Sequence, residues 1–471
     1  MLRLSFPWLF GSGVKLRQWW RRLDEYVKKT RLLAFLTAVA TALPAAPAVA
    51  LPSLEGPHPG APMGGSSVRQ ADHSFFENHE DLSGRNPGEV LGVRHVAYHA
   101  LGAPTPLDVA QIRYVTTDSQ GNKTHGITSV LSPTGPGNGK LVSIHSIYDS
   151  LDPEHAPSRA IAGDVALGTI SYSTVETAQL LDFLARGYSV AFPDIEGQNA
   201  NFIAGPEYGT TTLDGIRAAL SVPDTGLNQD SLVGLFGYSG GSIATNWAAQ
   251  LAPSYAPEIN DNLVGAATGG VLVNPINNIG YVSGSAYWAP IQVMAVVGLS
   301  RAYGLDLNKY FNGFGRMMLA RMERASITEV VGTAPGLTWE SLVKPEYRDP
   351  YAVPELVDVV RKVNMGLGPD PTIPFYYSQG TVGEVIGTVD VPRGLGKAGD
   401  GVMVADDSRA LANKYCAAGV PVQYEEHPVA HVAGGAVWFA KAVGWLNDRF
   451  EGKPAPSTCG IIPAGDQSIL H

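Results

Sequence analysis

Leu232-Val233-Gly234-Leu235-Phe236-Gly237-Tyr238-Ser239-Gly240-Gly241-Ser242-Ile243-Ala244-Thr245-Asn246-Trp247-Ala248-Ala249-Gln250-Leu251 reads as a buried strand, a glycine-rich corner with a central serine, and a helix. Such a corner holds its serine at a strained backbone angle with the hydroxyl exposed, the arrangement called a nucleophile elbow. Glycine on either side avoids the crowding that any side chain would bring to so tight a turn. A bare G-x-S-x-G arises by chance in a chain with 54 glycines. The strand before it and the helix after it are what carry the reading.

Outward from the elbow, strand-like and helix-like runs alternate. Leu141–Ser146, Tyr188–Phe192 and Leu232–Phe236 predict buried strands, with helices over Thr177–Arg186 and Leu213–Leu220 between them. The alternation resumes with Ile373–Tyr377, Ser408–Ala418, Val422–Glu426 and Ala436–Phe450. Strand and helix at this spacing predict a parallel sheet with crossover helices, and with the elbow this is an α/β-hydrolase fold. An antiparallel opening precedes it, with strands at Val90–Ala97, Gln111–Thr117 and Ile127–Leu131 and a turn at Asp118–Asn122. Residues 262–370 interrupt the scheme, starting with a strand over Val264–Val273 and then running mostly helical. They read as a cap over the sheet's C-terminal edge, leaving 75–261 and 371–471 as the two parts of the core.

A serine nucleophile needs a base within hydrogen-bond reach and a carboxylate to orient that base. In this fold the chain order is serine, acid, histidine. Only His427, His431 and His471 follow Ser239. His471 ends the chain, and His431 lies in a predicted loop between the last strand and the last helix. His431 is therefore the expected base, with His427 as the alternative. The acid belongs in the long loop after Ile373–Tyr377, where Asp390, Asp400, Asp406 and Asp407 stand. Asp406 and Asp407 are expected to cap the next helix. Asp400 is the expected acid, and Asp390 remains open. Donors for a tetrahedral oxyanion are expected from the N–H of Gly240 and from the loop Ile147-Tyr148-Asp149-Ser150, which lacks the HGG-type run of many esterases.

Length and composition agree with a globular enzyme. The chain has 471 residues, 45% hydrophobic and 16% charged, outside the range of disordered chains. Residues 1–50 read as a signal peptide: basic residues from Lys15 to Arg31, an apolar stretch Leu32–Val49, and Ala48-Val49-Ala50 as a cleavage site. Residues 51–74 read as a flexible leader rich in Pro, Gly and Ser. The whole chain carries a formal charge of −10, and residues 1–50 hold eight Lys/Arg against two acids, so a processed chain is near −16. With no basic stripe after residue 50, nucleic acid is excluded as a partner. The two cysteines, Cys416 and Cys459, are expected to bond in an oxidising compartment. No cofactor motif and no metal-ligand spacing is present.

Several segments together resemble the secretory lipase family, the group of Candida antarctica lipase A and the yeast secreted lipases. They are the elbow region through Trp247-Ala248-Ala249 and Pro253–Glu258; Asp194-Ile195-Glu196-Gly197 with Phe202–Gly205 and Leu213–Arg217; and Tyr148-Asp149-Ser150 with Ala156-Pro157-Ser158. The likeness spans roughly residues 85–460. It implies a capped hydrolase acting on triacylglycerols or related esters at a lipid–water interface, with Ser239 as nucleophile and His431 as base. It also implies an oxyanion role for Asp149 in its protonated form, beside Gly240, and it fits a Cys416–Cys459 bridge near the C-terminus. The sequence departs from the family at the acid, where about twenty residues separate the strand from Asp400 and the following run lacks a proline. Acyl transfer in the cell envelope or short-chain ester hydrolysis on the same triad is the alternative.

Overall fold

The computed structural model describes residues 72–388 and 399–471. The predicted signal peptide, nearly all of the predicted leader, and Asp390 lie outside them. Among the described residues nine strands form one sheet in the order β1-β2-β3-β5-β4-β6-β7-β8-β9. The antiparallel edge is β1 (Val90–Ala100), β2 (Ala103–Thr117) and β3 (Lys123–Leu131). The parallel part is β4 (Leu141–His145), β5 (Ser189–Pro193), β6 (Val233–Tyr238), β7 (Leu263–Gly269), β8 (Phe375–Gly380) and β9 (Val422–His427). The first hairpin is longer than the sequence suggests. Leu101 and Gly102 both adopt positive φ, the two-residue turn whose twist matches its strands, so pairing runs up to Ala100 and Ala103.

Helices cover both faces, because every residue of β4, β5 and β6 is buried and a two-sided strand needs cover on each side. Side chains alternate between faces along a strand. Phe236 and Ile144 face α1 (Leu167–Ala185), whereas Leu235 faces α2 (Gly205–Ser221) and α3 (Gly240–Tyr255). After β7 the chain leaves the sheet for α4 (Pro275–Val282), α5 (Ile291–Tyr303), α6 (Gly313–Arg321) and α7 (Pro354–Val363). It re-enters at β8, then forms α8 (Ala405–Ala417), β9 and α9 (His431–Phe450). The helical part of 262–370 thus starts only after β7, which ends at Gly269 rather than Val273 and pairs with β6 and β8. Of the cap's methionines, Met294, Met318, Met322 and Met365 are core and Met317 is exposed.

Two expectations need correction. His431 is not in a loop but is the first residue of α9. Asp406 and Asp407 do not cap α8, whose N-cap is Val404. Asp406 pairs with Arg409, and Asp407 accepts from the Asn277 amide at 3.0 Å. The Cys416–Cys459 disulfide ties α8 to the C-terminal tail. Among the described residues no helix is long and apolar enough to cross a membrane.

Candidate active site

β6 ends at Tyr238 and α3 begins at Gly240, so Ser239 makes the whole turn. Its φ is 54° and ψ −124°, a conformation a non-glycine residue holds only when its surroundings impose it. They do so through the Ser239 N–H, which donates to the Gly269 carbonyl at 3.0 Å. The turn also needs close approach: a Cβ on Gly241 would lie 2.0 Å from the His145 carbonyl oxygen.

The structure brings Ser239, His431 and Asp400 into one line. Ser239 Oγ lies 2.7 Å from His431 Nε2, and His431 Nδ1 lies 2.7 Å from Asp400 Oδ2. Asp400 is fully buried. Its Oδ1 accepts from the N–H groups of Val402 (3.1 Å) and Met403 (2.7 Å), and its carbonyl accepts from the His431 N–H at 2.8 Å. Tyr238 and Trp288 flank the imidazole, with ring centroids 5.3 and 5.6 Å away. Tyr238 also donates its hydroxyl to the His431 carbonyl at 2.7 Å. Such a line lets a serine lose its proton to imidazole as it attacks carbon, while the carboxylate holds the ring and its charge. His427 stays at the end of β9, 3.5 Å from Glu425, and His471 is exposed at the C-terminus.

Residues 381–388, which follow β8, bond back to the backbone on either side of Asp400. The Gly383 N–H donates to the Gly399 carbonyl at 2.8 Å, and Thr388 Oγ1 donates to the Gly401 carbonyl at 2.8 Å. A Cβ on Gly380, the last residue of β8, would lie 2.8 Å from Asp400 Cβ. The acid therefore stands directly behind the strand although residues 381–399 intervene.

Asp149 faces the same turn. A Cβ on Gly240 would lie 1.7 Å from Asp149 Oδ1, so the carboxyl occupies the space that glycine leaves. The Asp149 backbone is itself strained, at φ 36°, and is clamped on both sides. Its carbonyl accepts from the Ile327 N–H at 2.9 Å, and the next N–H, of Ser150, donates to both oxygens of Glu196 at 3.2 Å. Burial pushes the Asp149 carboxyl up from 3.8 to about 7, with His431 opposing the shift. Burial first, and then the Asp149 charge, raises Glu196 well above the ordinary carboxylate range. Burial likewise raises Glu176 to about 7. Gly240 opens α3, so its N–H has no acceptor within the helix.

A cavity opens on these groups. Asp149, Ser239, Gly240 and His431 stand at its wall, and the rest is largely apolar, with Phe202, Ile203, Ile243, Leu272, Ile279 and Trp288 among the lining side chains. Sequence reasoning missed the clamping role of Glu196, although it lies in a segment quoted for the resemblance. Elsewhere among the described residues, His73, Glu154 and Asp164 approach one another as metal ligands could. Arg159 already occupies that place, donating to His73 Nδ1 at 2.9 Å and pairing with Glu154 at 3.3 Å.

The family model for secretory lipases matches residues 164–394. Lipase 6 of Candida albicans is 27% identical over 407 residues, covering 82% of this chain and 83% of that protein. Candida antarctica lipase A in its closed state matches with a TM-score of 0.68 and 25% identity, over 84% of this chain and 92% of that one. The chain belongs to the secretory lipase family. Within that family it is similar to a Mycobacterium tuberculosis protein named a probable inactive lipase, at 29% identity over 78% of this chain and 79% of that one. A rice cell wall degrading esterase from Xanthomonas oryzae shares the fold, with a TM-score of 0.59 at 16% identity, over 78% of this chain and all of that one. The fold is that of the α/β-hydrolases, and the chain is a hydrolase of the lipase and esterase type.

Proposed function

We propose that this protein is a secreted serine hydrolase that cleaves carboxylic esters of fatty acids, acylglycerols among them, through an acyl-enzyme. The observation that carries the proposal is the line Ser239 Oγ–His431 Nε2 and His431 Nδ1–Asp400 Oδ2, 2.7 Å at each step, at the wall of an apolar cavity. Ser239 attacks the ester carbonyl and His431 takes its proton. The negative oxygen that forms is met by the Gly240 N–H and by the protonated Asp149 carboxyl. Collapse expels the alcohol, which receives the proton from His431. Water, activated by the same imidazole, then releases the acid and restores Ser239. The apolar lining suits an acyl chain. One family relative is named a probable inactive lipase, and what supports activity here is the hydrogen-bonded line itself. Export is supported by the predicted signal peptide and by the Cys416–Cys459 bridge, which belongs to an oxidising compartment.

The test is hydrolysis of p-nitrophenyl esters from acetate to palmitate, with fluorophosphonate labelling in parallel. Turnover of long chains supports a lipase, and turnover of acetate and butyrate alone supports a short-chain esterase. Absence of both turnover and labelling overturns the proposal. A methyl group at Gly240 gives a more local test. Gly240→Ala is expected to lower kcat about 10²-fold, the typical cost of moving one reacting group by about 1 Å, because Asp149 must then shift. Circular dichroism of the variant should stay unchanged. A rate equal to the parent enzyme would exclude Asp149 from the oxyanion site.

A further inference from the structure

Two buried amides in the acyl cavity have no use in the mechanism above. Asn278 on α4 and Gln292 on α5 both line the cavity, with 7% and 1% of their surface exposed. Asn278 Nδ2 donates to the Val402 carbonyl and lies 3.6 Å from Met403 Sδ. Gln292 Nε2 donates to the carbonyls of Ala289 (2.8 Å) and Leu337 (3.0 Å). These acceptors fix which end of each amide is nitrogen, since a flipped amide would set oxygen against carbonyl oxygen. Both carbonyl oxygens, Asn278 Oδ1 and Gln292 Oε1, are buried and accept no hydrogen bond from any described residue. Buried acceptors are nearly always paired, and an unpaired one carries its full desolvation cost. Leucine or methionine would line a cavity for plain alkyl chains without that cost.

We infer that Asn278 and Gln292 are specificity residues, and that the cavity favours acyl groups carrying a hydroxyl near their carboxyl end. The inference rests on the ester-hydrolase reading of Ser239. An acyl hydroxyl is a donor of the right size for an amide oxygen in an otherwise apolar wall, whereas an alkyl chain leaves both oxygens unmet. The anchors of the two amides tie them to the catalytic line. Val402, which holds Asn278, is itself bound to Asp400 Oδ1. Ala289, which holds Gln292, follows Trp288, whose ring packs edge-on against His431.

The experiment compares methyl decanoate with each enantiomer of methyl 3-hydroxydecanoate. Hydrolysis by the full chain is followed by titration of released acid. Binding to Ser239→Ala is followed by calorimetry, which reads the cavity without turnover. The expected result is a preference of about tenfold or more for one hydroxylated enantiomer in kcat/KM and in affinity, the worth of one regained hydrogen bond. Asn278→Leu and Gln292→Leu should each reduce that ratio. Because the ratio is taken within one variant, a general loss of stability or rate divides out. Equal handling of the two esters within about twofold, or a preference that both substitutions leave intact, overturns the inference while the hydrolase reading stands. Preferential binding with no hydrolysis by the full chain supports the inference and removes the hydrolase reading instead.

Discussion

Ser239→Ala is expected to lower kcat for p-nitrophenyl ester hydrolysis by about 10⁶-fold, the size of loss seen when the nucleophile of a serine triad is removed. The hydroxyl is the only atom group lost, and its partner is His431 Nε2 at 2.7 Å. What remains is the oxyanion site and the cavity, which by themselves give about 10³–10⁴ over water. The fold should be untouched. The backbone at φ 54° is as strained for alanine as for serine, and the N–H bond to Gly269 is kept. The melting temperature should therefore stay close to that of the parent, and fluorophosphonate labelling should vanish. Adding His431→Ala to this variant should cost little more, since the two residues act as one unit. Retention of more than about one part in a hundred of the rate would place the nucleophile elsewhere.

The elbow was legible because every requirement of the turn is local. The apolar run, the glycines and the helix that follows are contiguous, and a sharp corner tolerates few other residue types. The rule of chain order then limited the base to three histidines. The remaining features depend on contacts between distant segments. His431 reads as a loop residue because Pro428, Gly434 and Gly435 surround it, yet α9 starts there. Gly434 and Gly435 are accommodated in the helix because Tyr238 packs against them: a Cβ on Gly434 would lie 2.4 Å from the Tyr238 hydroxyl. Glycine's cost within a helix is here the condition for bringing His431 to the elbow. Asp400 was harder to choose because sequence distance from β8 does not report that Asp400 lies against Gly380 at the end of that strand, where the Gly383 N–H meets the Gly399 carbonyl.

Burial was the larger blind spot. Nothing in Ile147-Tyr148-Asp149-Ser150 tells a surface turn from a carboxyl sealed against Gly240. The difference lies in Ile327 and Glu196, which hold the peptide from either side. Asn278 and Gln292 carry no local signal at all, since polar residues on amphipathic helices ordinarily face water. Their significance comes from α4 and α5 turning those positions inward, which a single sequence does not reveal.

Asp149→Asn should change the pH dependence of the reaction, and Asp149→Ala its size. Burial raises the Asp149 carboxyl from 3.8 to about 7. Below that pH the group is neutral and can donate to the oxyanion; above it the group is a carboxylate that cannot donate and repels the developing charge. The parent rate should therefore fall as pH rises through about 7. Asparagine donates at every pH, so Asp149→Asn should lose the alkaline fall. Asp149→Ala, measured near pH 6 where the parent donor is intact, should lose about 10²–10³ in kcat, the usual value of one oxyanion donor. Stability moves with the same proton. A raised carboxyl means that the folded chain binds more protons than the unfolded one between about 4 and 7, so Asp149 makes folding less favourable as pH rises across that window. Glu176, also raised to about 7, chiefly by burial and in small part by the Asp149 charge, contributes a similar loss whose main cause Asp149→Asn leaves in place. The melting curve therefore keeps part of its pH dependence in this variant, whereas the alkaline limb of kcat disappears. Survival of that limb in Asp149→Asn would assign it to another group and remove Asp149 from the oxyanion site.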